Sequence, residues 1–192
     1  MEKTQDKYVN EIVDDGNSWY AVRLYSTRQE EVANFFEEKG LESFIPMNYF
    51  DEEDVNGRVR RKLRPVVRNL IFVKKTIEDS EFRGIVYDSN FKMGVITKSK
   101  ENRDYCLIPH DQMYEFRLMC NPDITIKKFI SPEEASMKAG DPVYVKFGPL
   151  KGMTGRLVRS SKKYYLLKEI PGISMMLKVT KWCCIPIEEK AD

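Results

Sequence analysis

Between residues 142 and 187 the chain alternates short β-type runs with tight-turn signals, which leaves room for little besides a small antiparallel sheet. The runs occupy 142–147, 154–160, 164–170, 175–179 and 183–187, and Gly148-Pro149, Ser161-Lys162 and Pro171-Gly172 punctuate them. Segments this short, rich in Val, Ile, Tyr and Leu, suit strands and are too short for helices. A sheet of five such strands must protect its edges, and closure into a barrel does so. The spacing therefore predicts a small all-β barrel over 139–188, with Trp182 packed into it.

The preceding residues read differently. Residues 1–138 carry 22 basic and 25 acidic side chains, whereas 139–192 carry 10 and 5. Asn121-Pro122-Asp123 and Ser131-Pro132 fall near this shift, so a linker is expected over 121–138. The polar first residues predict a flexible tail over 1–16. From Trp19 to Tyr25 an aromatic, β-branched strand places Tyr20, Val22 and Leu24 on one face and Trp19, Ala21 and Arg23 on the other. A helix follows, with Thr27 and Glu30 spaced as a capping box and Val32, Phe35 and Phe36 forming its apolar stripe. A second strand is expected over 42–50. The acidic run 51–54, the Asn56-Gly57 turn and the basic arm 58–64 then read as a hairpin. The run 66–73, apolar apart from Arg68 and Asn69, predicts one continuous central strand. A helix over 77–87, a strand over 91–97, and a helix opening at Ile108-Pro109, with Met113, Phe116 and Cys120 inward, complete the pattern. Trp19, Phe35, Phe36 and Phe72 are expected in the core, and His110 on the surface. Mixed strands and helices make the first domain, 17–120, α+β, an α/β sandwich.

Composition and motifs exclude several classes of chemistry. The net charge of +2 is far from that of a nucleic-acid coat protein. The longest apolar runs are a few residues, short of the roughly 20 a membrane span needs, so no membrane association is expected. Cys106, Cys120, Cys183 and Cys184 form no CxxC pair, which predicts free thiols in a reducing cytoplasm. With His110 as the lone histidine, no zinc or other metal site is expected. No GxSxG, Walker, HExxH or dinucleotide signature occurs, and no catalytic residues or cofactors are expected.

Two segments carry a specific resemblance. Gly140-Asp141, Gly148-Pro149, Gly152 and Gly155 are arranged as in a KOW motif, with Gly148 and Gly155 at positions that need positive φ or close backbone approach. Trp19-Tyr20, Phe44-Ile45-Pro46, the basic hairpin, Asn69 to Val73 and Ile108-Pro109 resemble the NusG amino-terminal domain. The ordered pair, over about 17–188, is similar to NusG-family transcription elongation and antitermination factors, with an SH3-like KOW barrel second. The resemblance departs at Val67, Arg68, Asn69 and Leu70, where the family usually carries an aromatic residue, Pro, a small residue and Tyr. Asn69 there is shared with specialised antiterminators, so the resemblance implies an operon-specialised paralogue.

The resemblance implies binding to the clamp helices of RNA polymerase through an apolar patch. The matching positions are Val67, Arg68 and Leu70, with Arg23 beside them. It implies suppression of pausing or termination without covalent chemistry. It also implies recruitment of a ribosomal protein or Rho through the KOW domain, where Leu150 and Met153 occupy the matching loop; both residues equally suit a barrel cap. The hairpin's own basic residues, among them Arg60, Arg61 and Lys62, fit phosphate contacts, or alternatively a solvated ribbon balanced by its acidic arm. Arg28, at the start of the first helix, is either a plain surface arginine or a contact to upstream or non-template DNA. A monomer is expected. The competing reading is a KOW-containing RNA-binding or ribosome-associated protein that does not engage polymerase.

Overall fold

The computed structural model describes residues 12–53, 55–148 and 150–187, and the chain divides into two compact units between Asp123 and Ile124. Asp54 of the acidic run, Pro149 and most of the expected tail lie outside the described residues. The tail's last residues are ordered: Ile12 is buried, and the Asp15 carboxylate accepts from Lys74 Nζ at 2.8 Å.

In the first unit, β1 (Trp19–Leu24), β2 (Ser43–Phe44), β5 (Leu70–Lys74) and β6 (Met93–Val95) form an antiparallel sheet in the order β2-β5-β1-β6. Alternation along the strands gives the sheet two apolar faces. Tyr20, Val22, Leu24, Ile71 and Val73 cluster with Val32 and Phe36 of α1 (Gln29–Glu38) and Phe82 of α2 (Asp79–Tyr87). Tyr20 and Phe82 stack with centroids 4.1 Å apart. On the opposite face, Phe72 meets Phe116 of α3 (His110–Met119) at 5.8 Å, and the Arg117 guanidinium lies 5.0 Å from the Trp19 ring and 5.3 Å from Phe44. Two helices on one face and one on the other follow from a sheet that is apolar on both.

The expected second strand, 42–50, is split. Pro46 cannot donate to a ladder. After it the chain leaves the sheet as β3 (Met47–Glu53), which pairs only with β4 (Val59–Pro65) in a separate hairpin. The expected continuous strand 66–73 is also corrected: residues 66–69 form a turn, and β5 begins at Leu70. The capping box is absent as well. Arg28 occupies the N-cap without a side-chain cap bond, which shifts Glu30 out of the position a Thr27 box requires. His110 is half-buried, its Nε2 2.5 Å from Asp14.

The second unit holds the five expected strands: β8 (Gly140–Val145), β9 (Thr154–Ser160), β10 (Lys163–Ile170), β11 (Ile173–Val179) and β12 (Cys184–Pro186). The expected linker contributes a sixth. β7 (Lys127–Ile130) pairs with β11, giving the order β12-β8-β9-β10-β11-β7. The same segment forms α4 (Pro132–Ser136), whose N-cap Ser131 hydroxyl accepts from Glu134 N–H at 3.1 Å. Ala135 packs into a core of Val158, Tyr165, Leu167 and Met176. Arg156 holds the helix end, donating to the Ala135 and Lys138 carbonyls and to Glu169. Residues 124–138 thus belong to the second fold rather than tethering it. Gly148 has φ of 91°, and a Cβ on Gly155 would stand 2.6 Å from the Leu167 carbonyl oxygen, so both glycines are needed where expected.

Candidate functional site

The turn 66–69 owes its shape to partners distant in sequence. Val66 N–H donates to the Pro46 carbonyl at 2.9 Å, and Leu24 N–H donates to the Asn69 carbonyl at 2.8 Å. Gln29, at the first position of α1, sends its Nε2 to the carbonyls of both Val67 and Leu70, each at 2.7 Å. Gln29 is only 3% exposed. A buried amide costs heavily unless bonded, so its two donor bonds fix the turn against the helix. The result is a loop whose backbone is tied inward on three sides while Arg68 and Asn69 face solvent and Val67 stays half-exposed.

Among the expected contact residues, the structure separates those on the surface from those beneath it. Arg23 is exposed on β1, with Leu70 opposite it on β5 and Gly94 opposite on β6. It borders an open cleft of about 360 Å³ together with Tyr25, Val95, Thr97 and Lys100. Leu70 is a correction: at 1% exposure it is a core residue and offers no surface. Placed at the start of a strand covered on both faces, its side chain goes inward, and the apolar part of the loop that remains accessible is Val66 and Val67.

The basic residues are spread over two places. Arg28 is exposed and pairs with Glu31 at 3.6 Å. On the hairpin, Arg61 stands opposite Asp51 and stacks on Tyr49 at 4.6 Å, Arg60 stands opposite Glu52, and Lys62 reaches Glu52 at 3.1 Å. Arg64 also pairs with Glu52. The acidic arm thus neutralises part of the basic arm, as the ribbon reading requires. In the second unit Leu150 is half-buried, but Met153 is 8% exposed. Met153 sits at the inner side of the chain just before β9, where its carbonyl accepts from Val145 N–H at 2.9 Å, so it supports the loop and does not present it. No described group of His, Cys, Asp or Glu could hold a metal ion.

Sequence reasoning missed Gln29. The signal was present: Gln29, Val32 and Phe36 share one face at helical spacing, and a polar residue within an apolar stripe needs a buried partner.

A protein-family model described as NusG, transcription termination factor nusG, matches residues 17–117. These residues lie within the first unit and contain the 66–69 turn, Arg23 and Gln29. No curated protein matches the chain.

Proposed function

The chain belongs to the NusG family of non-enzymatic transcription factors, whose members interact with RNA polymerase, and on that premise we propose that its first unit docks on the elongating enzyme through the 66–69 turn and Arg23. The observation that carries this reading is the turn itself, which presents Val67 and Arg68 outward on a backbone fixed by Gln29. A preorganised loop loses little conformational entropy on binding. Preferential attachment to the processive state would suppress pausing or termination by differential binding alone. In the same reading Leu70 is a support beneath the contact. Arg28, Arg60, Arg61 and Lys62 reach upstream or non-template DNA at the margins. The second unit is a KOW domain whose sheet closes as an SH3-like barrel and recruits a ribosomal protein or Rho through the loop of Leu150, with Met153 behind it. The protein acts as a monomer in the cytoplasm, and the Val67–Leu70 sequence favours an operon-specialised antiterminator.

The test is binding of the full chain to cognate core RNA polymerase, with Val67→Asp and Arg23→Glu alongside. Affinity should fall at least tenfold in each correctly folded variant. Unchanged affinity in both, or no binding by the wild-type chain, overturns the assignment.

A further inference from the structure

The segment between the two units is folded onto the second sheet, and what holds it there is slight. Tyr165 stands opposite Val158, and Leu167 opposite Met176, so these four side chains share one face across β9, β10 and β11. Ala135 packs into this strip and Ile130 lies against it. Ala135 is the one buried side chain of α4. In β7 only Lys127 is buried, while Phe129 and Ile130 stay half-buried. β11, by contrast, buries every side chain from Ile173 to Leu177. Hydrophobic stabilisation follows the apolar area removed from water, so the segment's share is small beside that of the sheet it covers.

Its polar clasp is concentrated at one side chain. Arg156 of β9 donates to the Ala135 carbonyl at 3.0 Å and to the Lys138 carbonyl at 2.5 Å, at the end of α4 where helix carbonyls lack partners. The same guanidinium donates to Glu169 at 2.8 Å, which fixes it on the sheet. At the strand end, Lys178 N–H donates to the Ile126 carbonyl at 3.1 Å. We infer that residues 126–138 are a releasable strap, latched by Arg156, whose release switches the reach of the protein. With the strap seated, the chain from Met119 of α3 to Lys127 of β7 is residues 120–126, which span at most about 25 Å. With the strap released, the tether runs from 120 to 139 and extends up to about 70 Å. A protein that holds two partners at once depends on that length, because a tether too short to span them forbids joint binding. Release also uncovers the β11 edge and the strip of Val158, Tyr165, Leu167 and Met176. The switch is a property of the chain itself and holds whichever partners the two units take.

Native-state amide exchange on the full chain, with no partner present, tests the strap. The Ala135 amide, bonded to the Ser131 carbonyl, reports on α4, and the Lys178 amide reports on the β7 edge. Both should open through one equilibrium, at least about 100-fold more often than the β9–β10 ladder. That opening should depend weakly on urea, because it exposes little surface. Arg156→Lys keeps a cation for Glu169 but lacks the fork that holds two carbonyls. Both amides should then accelerate by the same factor, about tenfold, although the substitution touches only the helix end. Ala135→Asp prevents seating. Trypsin should cut after Lys127, Lys128 and Lys138 at least about tenfold faster in that variant, while the β9–β10 ladder stays protected. Equal protection of strap and ladder in the wild type overturns the inference, as does loss of the ladder in Ala135→Asp, since either makes 126–138 an integral part of one cooperative unit. Acceleration of Ala135 without Lys178 in Arg156→Lys also overturns it, because helix and strand would then open separately.

Discussion

Gln29→Ala is the perturbation that most directly tests how the candidate docking turn is built. The substitution removes two donor bonds of 2.7 Å, to the carbonyls of Val67 and Leu70. Each bond contributes about 1 kcal/mol net, and a buried acceptor left without a donor costs about 1–3 kcal/mol. The Leu70 bond is buried and takes the larger figure; the Val67 bond is part-buried, where water replaces some of the loss. Together they give about 2–4 kcal/mol, readable as a lower urea midpoint for the first unit. The loss should also be local. Amide exchange at Val66 and Leu24, whose N–H groups bond to Pro46 and Asn69 on either side of the turn, should accelerate well before global unfolding. Gln29→Glu sharpens the test, because a carboxylate facing two carbonyl oxygens repels both. Its carboxyl pKa in the folded state should be raised above the ordinary ~4.3, so the variant's deficit should grow as pH rises through that range and shrink below it. If Gln29→Ala costs under about 0.5 kcal/mol and both amides keep their protection, the turn is held by something other than Gln29.

The β9–β10 turn places Ser161 and Lys162 at φ of 48° and 62°, a type I′ geometry that suits neither residue. The pair Ser161→Asn with Lys162→Gly should stabilise the second unit by about 0.5–1 kcal/mol in denaturant melts. Gly155→Ala should do the opposite, costing about 1–3 kcal/mol, since the new methyl meets the Leu167 carbonyl and a strand backbone cannot give way. The Lys74 hydrogen bond holds the Asp15 carboxyl at about 2, below its ordinary 3.8. That contribution is fully present above about pH 4 and is lost as pH falls toward 2; Asp15→Asn should flatten the acid limb of a stability–pH curve.

Local pattern carried the parts of the fold that local physics decides. β9 occupies the residues that the 154–160 run predicts, and α1 buries Val32 and Phe36 as their spacing requires. Where the reading failed, a distant partner had decided the outcome. Val66 and Val67 extend the apolar run toward the hairpin, but Pro46, Leu24 and Gln29 take the backbone groups of this segment into a turn, and none of these is a neighbour in sequence. The segment 127–130 is too short to show a period, and becomes β7 because β11 offers an open edge. Trp182 shows the limit of reasoning from residue type, since a 3-10 turn just before β12 carries it outward where a strand position would have buried it. Of the candidate site, Arg23, Val67 and Arg68 were legible as surface positions. Leu70 was misplaced because surface and core positions in an apolar run look alike until the strand's first residue is known.

That misplacement decides which substitution can interrogate the docking proposal. Leu70→Asp would put a carboxylate at a position 1% exposed, within a sheet covered on both faces, and Arg23 opposite it on β1 is itself exposed. Burying that charge costs about 4 kcal/mol or more, comparable to the whole stability of a small unit. Loss of polymerase binding by Leu70→Asp would therefore follow from unfolding and say nothing about contact. Val67→Asp places the same charge on the same loop at a partly exposed position, where water can reach the carboxylate, so its cost to folding should stay near about 1 kcal/mol. The pair should diverge: Leu70→Asp melts early and loses binding, while Val67→Asp melts near the wild type and loses binding nonetheless. If Val67→Asp instead binds normally while Leu70→Asp fails, the turn is only a structural element and the polymerase-facing surface must be sought elsewhere on the first unit.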